Sequence, residues 1–400
     1  MLTYDRQTIL CADHLDRVSG RKGLYYSYGC AILIFLLSRL VIALGLLFSG
    51  KYLPIAPDVW SAGPSWYHQL LQWDSQWYFR IATAGYGYNG DPTVPQTVVF
   101  YPLYPLLSRA IATVSGIDIA DSMLLMSNIA GLCAIVVLFK FVREDFGDEV
   151  GHATVALLSF FPTSVVFSAG YTEPLALLLI VSFFLALKSK HFVWAALLSA
   201  LASATRATGT ILLAVLMWEI WIWTNRGQPL RLRAAIVYAL LAISGLCLFM
   251  AYLWYAFGDP LLLFTAQSGY HLGTTMGARF ISALALEPFS RMILDDWNPW
   301  GWDSWFTLLF ITAIIAGSFR LPTSLTLFAL GVLLLPYFSL SGGPSGFVSM
   351  GRFNLLSFPI FIILAQFGLR MKPVMIGIVG LSGAALFMDT VLFARRIWIG

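Results

Sequence analysis

The chain has 400 residues, of which 59% are hydrophobic and only 11% charged, against about 25% charged in ordinary soluble proteins. With a mean hydropathy of +0.79, this composition excludes a soluble globular domain and fits a polytopic membrane protein. A net charge of +4 gives no reason to expect a nucleic-acid partner. Cys11, Cys30, Cys133 and Cys247 form no Cys-x-x-Cys spacing, so neither a zinc site nor a disulfide framework is expected.

Residues 1–28 are polar and of mixed charge, and no small-residue cleavage site follows the first apolar run. They are therefore expected to stay as a cytoplasmic N-terminus. Membrane spans need about 20 apolar residues. Candidates lie at 29–49, 122–141, 152–169, 173–188, 192–206, 208–224, 234–257, 304–319, 322–340, 353–369 and 374–393. That makes about eleven, with 192–224 ambiguous because Arg206 interrupts it. A short amphipathic piece at 103–115 is expected to lie along the membrane surface.

Lys and Arg in the connections orient the bundle. With the N-terminus in the cytoplasm, fourteen basic residues fall on that side and nine on the other, as the positive-inside bias requires. The Arg395-Arg396 pair then falls on the outer side, against that bias. Two long connections, 50–121 and 258–303, are placed outside, whereas inner ones such as KSKH are minimal. Chemistry is therefore expected on the outer face. Activated nucleotides are cytoplasmic, so an outer enzyme needs another donor, and a lipid-phosphate-linked one is the natural candidate. No phosphate-cradling glycine motif contradicts this.

The first long connection carries the most informative stretch, QWDSQWYFRIATAGYGYNG followed by VVFYPLYPLL. A helix over 75–84 puts Asp74 and Tyr78 on one face, and Trp73 and Trp77 likewise. Gly85 supplies the stop. Asp74 is either the cap of that helix or a catalytic carboxylate in an aromatic wall. Glu173, in GYTEPLALLL, is either a headgroup-level acid or part of a site. Arg206 in SATRATG and Arg352 in SMGRFNLL either snorkel to lipid phosphate or bind a substrate phosphate through paired hydrogen bonds. Arg39 is mid-span and either pairs inside the bundle or lines a headgroup path. Arg39 and Glu219 are the charges expected deep in the membrane. Gln267 and His271 are acceptor-site candidates on the second outer connection. The run DDWNPWGWDSW, 295–305, reads as an interfacial belt; its adjacent acids do not compel a cation site.

Asp74, Glu173, Arg206 and Arg352 come from four separated segments, and the charge bias puts all four on one side. A carboxylate base with arginines facing a phosphate leaving group is what transfer from a lipid phosphate to an alcohol needs.

SRLVIALG, WDSQWYFRIATAGY with FYPLYPLL, FFPTSVVFSAGYTEPLALLL, SATRATG, GDPLLLFTAQ and SMGRFNLLSFPIF occur in that order. Together they resemble the PIG-V-type family of mannosyltransferases within the membrane-embedded GT-C class. The resemblance implies an all-α polytopic fold forming a single transmembrane glycosyltransferase domain over 1–400. It also implies inverting transfer of a sugar, most readily mannose, from a polyprenyl-phosphate carrier to a hydroxyl of a lipid-linked glycan or glycolipid. The family's catalytic acid on the first outer loop falls on Asp74. Arg206 and Arg352 are expected at the donor phosphate. Trp73, Trp77, Tyr78, Tyr86, Tyr171 and Glu173 are expected around the sugar or acceptor, and no obligate metal or other cofactor is expected. Eukaryotic members act on the GPI precursor. This chain lacks the glutamates expected between Gly90 and Gln96 and has VVF before Tyr101, so a bacterial inner membrane is expected, with the acceptor open. The rival readings are a flippase for lipid-linked sugars and a non-catalytic subunit of a glycosylation complex.

Overall fold

A computed structural model describes residues 6–53, 60, 62–228, 230–270, 280–282, 301–339 and 349–397. His271 and the acidic part of the 295–305 run before Gly301 lie outside them. The described residues are helical and contain no strand. Five helices are long and apolar enough to cross a membrane by length and composition, and three shorter apolar ones accompany them. This is an all-α integral membrane protein.

Helix α1 spans Arg6–Tyr52, and its apolar part matches the expected first span. The first long connection then folds into a 3-10 turn, Trp66–Leu70, helix α2, Asp74–Ala84, and the expected amphipathic helix α3, Leu103–Ser115. Helix α4, Ile119–Ser159, is two helices in one run. Gly147 breaks it with φ 84° and ψ 167°, a conformation that costs a glycine little and other residues much. The chain then folds back, since Phe139 stacks on His152 with ring centroids 4.7 Å apart. In a continuous helix these residues would stand about 20 Å apart.

The continuous span expected over 152–169 is not found. Helix stops at Ser159 and resumes as a 3-10 turn, Pro162–Phe167. Pro162 has no N–H to continue the ladder, and the freed carbonyls need donors. Arg39 supplies them. Its guanidinium donates to the carbonyls of Ser159 and Ser164, both at 3.3 Å, and to the Ser168 hydroxyl at 3.0 Å. Of its two expected roles, Arg39 takes the internal one, and its partners are neutral.

Helices α5, Glu173–Lys188, and α6, Phe192–Ser203, run to the ambiguous region, which the structure resolves into two helices. α6 ends, Arg206 is extended, and α7, Ile211–Asn225, follows a 3-10 turn. Gly209 sits against the end of α6: a Cβ there would lie 2.1 Å from the Ala202 carbonyl oxygen. Then come α8, Leu232–Phe257, short α9, Leu262–Thr265, α10, Gly301–Ser318, and α11, Thr323–Ser339. The last three are α12, Met350–Phe353, α13, Phe358–Gly368, and α14, Lys372–Ala394. α4 packs on α1, α5 and α13, α6 on α8, and α14 on α1 and the Pro162–Phe167 turn. Phenylalanines dominate the core; Phe139, Phe167, Phe183, Phe310, Phe328, Phe358 and Phe361 are all fully buried.

The bundle has two chemically different ends. α5 runs about 24 Å from Glu173 at the end bearing α2 to Lys188 at the other. There Lys188 pairs with Glu144 and Asp145, and Lys190 with Glu219 at 3.2 Å. Glu219 is therefore not a deep charge. It belongs to the rim of the opposite end.

Candidate functional site

Four segments meet at the α2 end. The Arg352 Nη1 donates to Asp74 Oδ2 at 2.8 Å, and its Nε lies 3.4 Å from Glu173 Oε1. The same Glu173 oxygen is 2.8 Å from Arg206 Nη1, which also donates to the Thr172 hydroxyl at 2.7 Å. The charges alternate along one chain: Asp74, Arg352, Glu173, Arg206. The set expected from sequence to share a side is thus in direct contact.

Each member is set by local structure. Asp74 is the first residue of α2, and Glu173 the first of α5, where Pro174 preorganises the opening turn. Both carboxylates occupy helix first turns, where the dipole favours negative charge. Arg206 sits in the α6–α7 break, and Arg352 on the single turn of α12.

The alternatives left open by the sequence now separate. α2 has Trp73 at its cap position and no side-chain capping hydrogen bond, so the Asp74 carboxylate is committed to Arg352 rather than to the helix end. Glu173 is fully buried, which rules out a water-exposed headgroup-level acid. Arg206 pairs with that acid and does not snorkel. Burial alone would pull the Arg352 guanidinium down, but Asp74 and then Glu173 outweigh it and hold it above its ordinary value.

The aromatic residues divide. Trp73 precedes the helix, with φ 56°, so it does not share a helical face with Trp77. A bulky residue there is strained, and such strain gathers at functional sites. Trp77 is half-buried, stacked on Phe100 at 5.7 Å and edge-on to Tyr270 at 5.9 Å, with Arg80 over its ring at 5.0 Å. Tyr78 reaches the cluster from below, its phenol facing Thr172, Arg206, Asp74 and Glu173. It is buried between Phe100 and Tyr104, and burial pushes its phenol well above the ordinary value, so it stays protonated. Tyr86 anchors the loop instead, packing on Phe249 and Tyr252 of α8 and donating to the Phe100 carbonyl at 2.8 Å. Tyr171 does join the cluster, with the Arg352 guanidinium 5.3 Å above its ring. Gln267 is half-buried in the 3-10 turn Ala266–Tyr270, outside the ion-pair chain.

Two contributors escaped sequence reading. Thr172 binds Arg206. Asp303, counted in an interfacial belt, is 4% exposed and buried in the protein. Its Oδ2 accepts the Ser349 N–H at 2.7 Å and its Oδ1 the Gly351 N–H at 2.8 Å. It therefore clamps the turn that presents Arg352, with Ser349 held at φ 59°. No spacing in the sequence ties residue 303 to residue 349.

Fold and site together define a membrane-embedded helical protein with a buried carboxylate–guanidinium chain at one end. A family model described as mannosyltransferase (PIG-V) matches residues 32–262, more than half of the chain, and the chain belongs to that family. GPI mannosyltransferase 2 of Drosophila pseudoobscura pseudoobscura is 31% identical over 114 residues, which make up 26% of this chain and 24% of that protein. GPI mannosyltransferase 2 of Cryptococcus neoformans var. neoformans serotype D (strain JEC21 / ATCC MYA-565) is 30% identical over 151 residues, 35% of this chain and 34% of that one. The matches thus span a quarter to a third of these relatives' length. Among solved structures, ArnT from Cupriavidus metallidurans bound to undecaprenyl phosphate gives a TM-score of 0.49 at 15% identity, over 92% of this chain and 76% of that chain.

Proposed function

We propose that this protein is an inverting mannosyltransferase that moves mannose from a polyprenyl-phosphate carrier to a hydroxyl of a lipid-linked glycan or glycolipid. The observation that carries this reading is the contact chain Asp74–Arg352–Glu173–Arg206, built by residues from four segments. Family membership supports the sugar.

In this reading Asp74 takes the proton of the acceptor hydroxyl as its oxygen attacks the anomeric carbon. The glycosidic bond to the phosphate breaks, and the bonding pair leaves with the phosphate. Arg352 and Arg206 stabilise the charge that builds there. Arg352 touches Asp74 at rest, so an anion engaging Arg352 competes with Asp74 and releases a carboxylate oxygen to receive the proton. Glu173 holds both arginines in register. Trp73, half-buried beside Asp74, offers ring surface to sugar. The bias of Lys and Arg supports a site on the extracytoplasmic face, and the departures between Gly90 and Gln96 and before Tyr101 support a bacterial inner membrane.

The test is transfer from radiolabelled polyprenyl-phosphate mannose into host lipid and glycolipid extracts, with wild type and Asp74→Asn. Asn keeps the volume but is not a base. A labelled product with wild type and none with folded Asp74→Asn is the expected result. Equal transfer by both would end the role of Asp74. No transfer by either, with other lipid-linked sugars also inert, would favour the flippase or subunit readings.

A further inference from the structure

Past the end of α14, two arginines lie beside the site without being part of its ion-pair chain. The Arg396 guanidinium lies 5.8 Å from the Trp73 ring centroid, and Trp73 is one residue, ~3.8 Å of backbone, from Asp74. Arg395 donates through Nη2 to the Ser49 carbonyl at the end of α1. Its Nε and Nη1 are buried and have no hydrogen-bond partner. Among the described residues no acid stands within ion-pair distance of either arginine. This differs from Arg206 and Arg352, whose charges face Asp74 and Glu173. The two arginines are adjacent in sequence and half-buried, and the idle Nε and Nη1 of Arg395 carry a desolvation cost that an anion would relieve.

The surroundings indicate which anion. α1 and α14 pack together here, with Phe48 and Phe387 in ring contact at 5.6 Å. Just below the arginines, these helices leave Leu44, Leu47, Phe48 and Met388 between 43% and 56% exposed. The arrangement has an apolar flank for acyl chains and two guanidiniums level with the headgroups, with Trp73 leading from them toward Asp74. Guanidinium binds phosphate oxygens through paired N–H donors, and an anionic lipid surface raises the local phosphate concentration.

We propose that Arg395, Arg396 and Trp73 form a second phosphate subsite, separate from Arg206 and Arg352, which holds the phosphate of an anionic phospholipid bearing the acceptor hydroxyl. The two subsites flank residues 73–74, one for the donor phosphate and one for the acceptor's. The acceptor role rests on the transfer reading above; the binding of lipid phosphate does not.

The experiment titrates the purified full-length chain, in neutral detergent at matched ionic strength, with dihexanoyl phosphatidylglycerol, dihexanoyl phosphatidylcholine or inorganic phosphate, and reads thermal unfolding. Phosphatidylglycerol is expected to protect wild type at concentrations about tenfold lower than phosphatidylcholine, which has the same phosphate but a choline cation that the two guanidiniums repel. Arg396→Gln leaves the Ser49 contact in place and should lose most of that preference. Arg395→Gln with Arg396→Gln should abolish it, and the corresponding Lys pair should keep part of it. Arg206→Gln should leave it unchanged. A preference that survives both Gln substitutions would make the arginines mere ends of α14, favourable to its dipole, and overturn the proposal. Protection by inorganic phosphate equal to that by phosphatidylglycerol would overturn the lipid assignment. Loss in Arg206→Gln as large as in the pair would assign the binding to the donor site and overturn the subsite. A chain inert toward polyprenyl-phosphate mannose that still shows the arginine-dependent preference sinks the transfer reading and not the subsite. A chain that transfers but binds lipid regardless of these arginines does the reverse.

Discussion

Both ends of the bundle carry ion pairs, and their burial sets them apart. At the opposite end, the Lys188 side chain is 31% exposed against partners at 39% and 44%, and in the Lys372–Glu149 pair both side chains exceed 60%. At the α2 end, Arg352 is 7% exposed and Glu173 fully buried. Water solvates the first set well enough that pairing gains little. The second set is desolvated, and each charge depends on its neighbours. A protein accepts that cost for a reason, and at this end the compensated charges sit beside a strained Trp73 and an aromatic face.

The sharpest way to break the contrast is Arg352→Ala. It leaves two carboxylates, one fully buried, without their shared partner, and should destabilise the fold by about 3–5 kcal/mol as well as abolish transfer. Denaturant unfolding in detergent reads the first effect, and the labelled-sugar assay the second. Asp74→Asn separates chemistry from stability. Transfer should fall about 10²–10⁴-fold while unfolding shifts far less than for Arg352→Ala, because Asp74 is partly exposed and Arg352 keeps Glu173. Asp303→Asn tests the clamp. Asn offers one acceptor oxygen for two N–H groups, so one buried donor is left idle at a cost of about 1–3 kcal/mol. Binding of polyprenyl phosphate should weaken along with it, since the turn bearing Arg352 loosens. Lys188→Gln is the contrasting substitution at the exposed end, expected to cost less than about 1 kcal/mol with transfer unchanged. If Lys188→Gln and Arg352→Ala destabilised equally, the difference between the two ends would collapse.

The helices were legible where the physics is local. Apolar runs long enough to span, the α2 helix with its stop at Gly85, and the amphipathic α3 follow from hydrophobic length and period. The break after Ser159 was hidden because Pro162 sits in an apolar run. Its cost is met by Arg39, more than a hundred residues away, and no window along the chain contains both. Glu219 was misplaced for a related reason. Hydropathy measures length along a segment and does not report where a helix end meets its neighbour.

The site divides along the same line. Sequence alone determined the chemistry on offer: a carboxylate in an aromatic stretch, an acid opening an apolar helix, and two arginines in otherwise apolar surroundings. These stand out because charge inside apolar sequence is expensive and therefore rare. Only the tertiary structure decided who pairs with whom. Asp74 and Arg352 are joined across 278 positions, and Asp303 holds the turn that makes this contact possible. Ion-pair geometry and desolvation exist only after the segments assemble, so the ingredients are written in composition and position, and the site is made by packing.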